Sequence, residues 1–326
     1  MWPTSSLPSV ADICSAPWST LPYIPSAIRE DWSRLFTSAM RQFLQTPNAS
    51  TLSLVYLTSK ALLAQPTRGG RTRREALLRT FRDRILLWER GEIDTLWEQL
   101  KLQNRRLSEK PHLFKSEVKE LNRVAHLVDA GYLSKAARQL LSHGIHERTP
   151  ETLEKVRQLF PQPANPHPLR GPITASSLSI TPDQLLKVID KTPQGLAPGP
   201  SGLRAEHLQA LLPAKSKRRP TDPTNPALQA LTDFVNYGLA GLFPSEIQGP
   251  LCAGLLVPLK KKDGGIRPVV VGDTLRNLVS RAGMHFADTS QLANLFPTQL
   301  CLARGPALQG GIYLARQWAC RMAETR

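Results

Sequence analysis

The stretch Leu255–Gly272, reading LLVPLKKKDGGIRPVVVG, can fold in few ways. Two apolar runs flank a short charged segment. Asp263-Gly264-Gly265 is a strong turn signal, because glycine enters positive φ without steric penalty. Val269, Val270 and Val271 favour the extended state, and Pro268 holds Arg267 out of the helical region. The pattern predicts a β-hairpin with its tip at Lys260–Gly265. Pro268 lacks a ladder donor, which places its strand at a sheet edge.

Positive charge collects at that tip, with Lys260, Lys261 and Lys262 before the turn and Arg267 after it. Antiparallel pairing brings the two sides of a turn together, so Lys262 and Arg267 can reach one ligand. An ammonium acts as a point charge, and a guanidinium grips two phosphate oxygens as a fork. Phosphate fits this pair best. A solvated turn is the competing reading of the same residues.

Composition sets the partner class. A net charge of +16 over 326 residues, with a pI of about 10.1, implies a polyanion: nucleic acid first, an anionic membrane second. No apolar run is long enough to span a bilayer, and the N-terminus lacks the basic start and apolar core of a signal peptide. Cys14, Cys252, Cys301 and Cys320 have no zinc-binding spacing and read as reduced thiols of an intracellular protein. No metal site is predicted.

Along the chain, Met1–Ser26 is rich in Pro, Ser and Thr and reads as mostly irregular, docked through an aromatic residue. Apolar spacing predicts helices over Ala27–Thr46 and Thr51–Ala64. The basic run Arg68, Arg71, Arg73 and Arg74 leads into the strongest helix, with Thr72 and Glu75 in capping-box form. Its arginines are candidate nucleic-acid contacts. Trp88 and Trp97 share the spacing of their Leu and Ile neighbours and read as core, with base stacking as the alternative. Further helices are expected over Ser116–Ala130, stopped by Gly131, over Tyr132–Leu141, closed by His143 and Gly144, and from Thr149-Pro150-Glu151. His143 and His146 have a chelating separation, but no other ligand accompanies them.

Prolines exclude a regular helix from Pro161–Pro172, PQPANPHPLRGP, which reads as a linker and the main domain boundary. It separates a helical basic domain, 27–160, from a second region, 173–326. There, Thr181-Pro182-Asp183-Gln184 opens a helix, and Glu206–Leu212 and Leu228–Leu239 form others. Lys215, Lys217, Arg218 and Arg219 lie in a polar loop that suits a nuclear import patch, a phosphate contact or a plain solvated loop. Asp273–Phe286 is expected to be helical and to carry Arg276 and Arg281. Gln309-Gly310-Gly311 opens a last helix that runs through Trp318.

Two features resemble reverse transcriptases of non-LTR retrotransposons. The hairpin is similar to the fingers hairpin of that family, in which a basic residue before the turn and the arginine of an R-P pair after it contact the triphosphate of the incoming nucleotide. Here these are Lys262, with Lys261 as its substitute, and Arg267, followed by Pro268. Upstream, Gly199-Pro200-Ser201-Gly202-Leu203 resembles the family's G-P-D-G-L loop, with Ser201 in place of Asp. The resemblance implies an α+β fold, mostly α-helical, in which a helical N-terminal unit precedes a partial fingers region. It implies RNA and DNA as partners, a deoxynucleoside triphosphate once a palm domain is present, and Mg2+ for the full enzyme. It further implies fingers contacts from Arg276 and Arg281. Asp233 and Tyr237 imitate the first polymerase aspartate motif, but they lie on a helix and before the hairpin. No adjacent Asp-Asp pair occurs, and Asp273 and Asp288 are not expected to follow a strand. The expected chain is therefore a polymerase front end that stops short of the catalytic aspartates and is inactive in isolation. A basic helical RNA- or DNA-binding module is the alternative.

Overall fold

Helices built around Trp32 and Tyr56 form the core of the larger unit in the structure, a computed structural model that describes residues 2, 7–66, 74–108, 117–129, 131, 133–147, 149–160, 178–212, 225–286, 315–318 and 321. The chain divides into two compact units, Met1–Ala282 and Gly283–Arg326. Within the first, the segment read as irregular contains a short helix, α1 (Val10–Ser15). Its cause is local. The Ser9 hydroxyl accepts from the Asp12 amide at 3.1 Å, and the Asp12 carboxylate accepts from the Ser9 amide at 3.3 Å, a reciprocal cap that buries Val10 and Ile13.

Helix α2 (Arg29–Gln45) buries Trp32, Leu35, Phe36, Ala39, Met40 and Phe43 along one stripe, the face its threes and fours predict. Helix α3 (Ala49–Lys60), capped by Asn48, is buried on all sides from Thr51 to Lys60 and runs through the core. Its C-terminal carbonyls have no partner inside the helix. The amides of Ala61 and Leu63 serve the Leu57 and Ser59 carbonyls, and side chains from neighbouring segments serve the other two. Trp32 Nε1 donates to the Thr58 carbonyl and Trp18 Nε1 to that of Lys60, each at 2.8 Å. Beyond the helix end, Arg84 Nη1 donates to the Ala64 carbonyl at 2.5 Å. Burial pulls the Arg84 pKa down to about 10.

Helices α4 (Arg74–Glu89) and α5 (Ile93–Ser108) follow, broken at Gly91, which adopts a φ of 77°. Trp88 and Trp97 are buried core residues and make edge contacts with Trp2 and Trp18. Helices α6 (Glu117–Asp129) and α7 (Leu133–Leu140) pack as a pair, and α8 (Pro150–Gln158) begins at Thr149 and packs against the hairpin's second strand.

The predicted linker falls within residues 161–177, outside the described ones. The helices beyond it are α9 (Pro182–Lys191), α10 (Ala205–Ala210), α11 (Pro226–Leu239) and α12 (Ser245–Cys252). They belong to the same unit as the N-terminal helices. Helix α11 packs on α2, with Phe234 and Phe43 ring centroids 5.7 Å apart. Thr20 donates to the Gly202 carbonyl at 2.6 Å, and Ser59 to that of Ser201 at 2.9 Å.

The sheet has two antiparallel strands, β1 (Gly254–Lys260) and β2 (Ile266–Gly272), so the coarse class is α+β and mainly helical. Helix α13 (Thr274–Gly283) follows at once. The joint between β2 and α13 touches the Gly199–Gly202 loop. A Cβ on Gly199 would lie 2.5 Å from Asp273 Cα and 2.7 Å from the Gly272 carbonyl oxygen, so only glycine fits. Gly199→Ala is expected to cost about 1–3 kcal/mol of stability. A lowered urea midpoint with an unchanged m value is the readout.

Candidate phosphate site at the hairpin tip

The hairpin register sets which side chains share the tip. Leu259 faces Arg267 and Lys260 faces Ile266. Lys261 then donates its amide to the Gly265 carbonyl at 2.8 Å, and Gly264 donates to the Lys261 carbonyl at 3.2 Å. Gly264 takes the left-handed conformation, with φ of 78°. The result is a three-residue loop, Lys262-Asp263-Gly264, with glycine where positive φ is required. The Asp263 carboxylate accepts the Gly265 amide at 3.0 Å, which closes the turn from inside.

A third segment braces the tip from the far side of β1. Ile145 forms an antiparallel bridge with Leu259. Lys260 donates to the Gly144 carbonyl at 3.0 Å, and His146 donates its amide to Pro258 at 2.9 Å. The His146 ring lies 3.3 Å from the Gly265 carbonyl. Because the Pro258 carbonyl points at His146, Pro258 and its partner Pro268 turn their backbone groups away from each other. Neither proline therefore removes a bond from the β1–β2 ladder.

Lys262 and Arg267 line one cleft of about 620 Å³, together with Lys260, Lys261, Arg138 and His143. Among the described residues, Asp263 is the one carboxylate on its lining. Among the described residues, none of the ion pairs takes up any of these cations. The C-terminal end of α7, which faces the cleft through Leu141 and Ser142, brings about half a negative charge. The cations outweigh it, and the cleft suits an anion.

The other predicted contacts lie elsewhere. Arg276 and Arg281 are exposed on α13 and do not line the cleft. Arg276 sits over Gly272, where a Cβ would come within 3.1 Å of its guanidinium. Arg74 begins α4. Arg71, Arg73, Lys217, Arg218 and Arg219 fall outside the described residues, as do the Thr72 cap and Asp288.

Asp273 departs from expectation, because it follows strand β2 directly. It is fully buried. Its Oδ2 accepts the Ser201 amide and its Oδ1 the Leu275 amide, each at 3.0 Å. Burial raises its pKa. With both oxygens spent on amides, Asp273 caps α13 and anchors the loop. It does not fit a Mg2+ ligand, and among the described residues no group of three His, Cys, Asp or Glu could hold a metal.

In the sequence His143 reads as closing a helix, its separation from His146 carries no metal site, and nothing marks Arg138. The bridge at Ile145 joins positions far apart in the chain, and one bridging residue leaves no alternation to detect. No family model, curated protein or solved structure matches this chain.

Proposed function

We propose that the hairpin tip grips the phosphates of a nucleotide, and that the chain is the front end of an RNA-directed DNA polymerase of non-LTR retrotransposon type. One observation carries this reading: Lys262 and Arg267, from opposite sides of a tight turn, line a single cationic cleft. The R-P pair after the turn and the glycine loop wedged beneath β2 support it. In such an enzyme Mg2+ and its carboxylates belong to a palm domain. The contribution of the described residues is binding, with RNA and DNA as macromolecular partners, and no nucleotidyl transfer is expected from them alone.

Arg267→Ala tests the proposal. A charge-assisted bond is worth about 1.5–3 kcal/mol, so dATP binding to the chain should weaken roughly tenfold or more, while binding of single-stranded RNA changes little. Equal losses for both would reduce Arg267 to a general backbone contact.

A second reading, a basic helical module for RNA, is favoured by a groove of about 870 Å³ along α2 that Arg29, Arg34 and Arg41 line. On that reading Arg41→Ala, and not Arg267→Ala, lowers RNA affinity and flattens its salt dependence.

A further inference from the structure

The hairpin supplies one wall of the cationic cleft, and a segment more remote in the chain supplies the other. We propose that Arg138 and His143 form the second half of the phosphate site, so that a polyphosphate is held between α7 and the hairpin tip. This rests on the nucleotide-phosphate reading and extends it to residues outside the hairpin.

Backbone geometry fixes the second wall in place. Gly144, at φ of 87°, turns the chain out of the α7 end and into the bridge with β1. The Ser142 hydroxyl accepts the Gly144 amide at 3.1 Å and steadies that turn. Bonds from Lys260 to Gly144 and from His146 to Pro258 then lock it to the strand leading into the tip. His143 therefore stands beside the hairpin in a set position. Arg138, in the last turn of α7, faces the same space.

Charge points to the ligand. Two separate segments bring Arg138, Lys260, Lys261, Lys262 and Arg267 to one cleft, against one carboxylate among the described residues, that of Asp263, which is already engaged with the Gly265 amide. Cations gathered this way repel one another until an anion lies among them. Positive groups on both walls suit a chain of phosphates better than a single one. Among the described residues no Phe, Tyr or Trp lines the cleft, so none of these stacks on a base there. The part recognised is the phosphate tail, and the four nucleotides should bind alike.

The test titrates the full chain with inorganic tripolyphosphate, dATP and a short single-stranded RNA. Arg138→Ala should weaken tripolyphosphate and dATP about fivefold or more, in the same direction as the larger loss with Arg267→Ala, and tripolyphosphate should displace dATP. Arg157→Ala is the charge control, since Arg157 is exposed on α8, pairs with Glu154 and is not on the cleft. It should leave both affinities unchanged. All three arginines are exposed, so unchanged melting curves are expected and are checked first. If Arg267→Ala weakens binding and Arg138→Ala does not, the second wall is refuted while the hairpin site stands. Loss with neither variant refutes both. Equal loss with Arg157→Ala, or an Arg138→Ala effect confined to RNA, also overturns the inference.

Discussion

Acidification from pH 6.5 to about 4 is expected to cost the Met1–Ala282 unit about 3 kcal/mol through His207 alone. The ring is fully buried and both its nitrogens are committed. Nδ1 accepts the Arg204 amide at 3.2 Å, and Nε2 faces the Leu21 carbonyl at 2.8 Å, which assigns the proton to Nε2. A second proton on Nδ1 would break the first bond and bury a charge. Burial accordingly pulls the pKa from 6.5 down to about 4. Between these values the unfolded chain binds a proton that the folded chain refuses. The stability from this group is complete above pH 6.5 and is lost as the pH falls to about 4. Urea midpoints measured across that window for the wild type and for His207→Gln provide the check. The wild type should show the steeper acid loss, and parallel curves would rule out the role given to His207.

Asp273→Ala should produce a loss of comparable size. Removing the cap of α13 costs about 1 kcal/mol, and stranding the buried Ser201 amide costs about 1–3 kcal/mol more. Asn at this position keeps one acceptor oxygen of the two, so Asp273→Asn should fall between the wild type and Ala. Amide exchange reports the effect locally, with Ser201 and Leu275 losing protection together. A loss below about 1 kcal/mol for Asp273→Ala would mean that water satisfies those amides. The pH response of this group is opposite to that of His207. Its folded pKa is raised from 3.8, so the stability tied to its protonated form is complete below 3.8 and is lost as the pH rises through the raised value. The two single variants separate the contributions.

What the sequence made legible was local. The stripe from Trp32 to Phe43 defined α2 to within a few residues, and Thr181 and Thr149 began their helices as their side chains dictate. Gly131 and Gly144 marked real breaks, each with positive φ. The turn at Asp263-Gly264 set the hairpin. Long-range pairings were not legible. The side-chain donors to the end of α3 come from Trp18 and Trp32, and Arg84 serves the segment just beyond it; no periodicity announces a side chain aimed at a distant carbonyl. The same holds at the candidate site. Lys262 and Arg267 were visible because one turn joins them, whereas Arg138 and His143 arrive through the single bridge at Ile145. Helix α12 went unnoticed because Pro250 sits inside it, near its end, where few later residues depend on the lost donor.

The facing prolines of the hairpin also bear on self-association. Pro268 aims the position where its amide would be at the outer flank of β2. A foreign strand laid along that flank meets a missing donor halfway, so its pairing cannot run the length of the strand. Val270, Leu255 and Leu256 stay exposed on the ribbon, the kind of apolar strand surface that invites edge pairing. The same residue that keeps Arg267 extended also stops copies of the ribbon from stacking edge to edge.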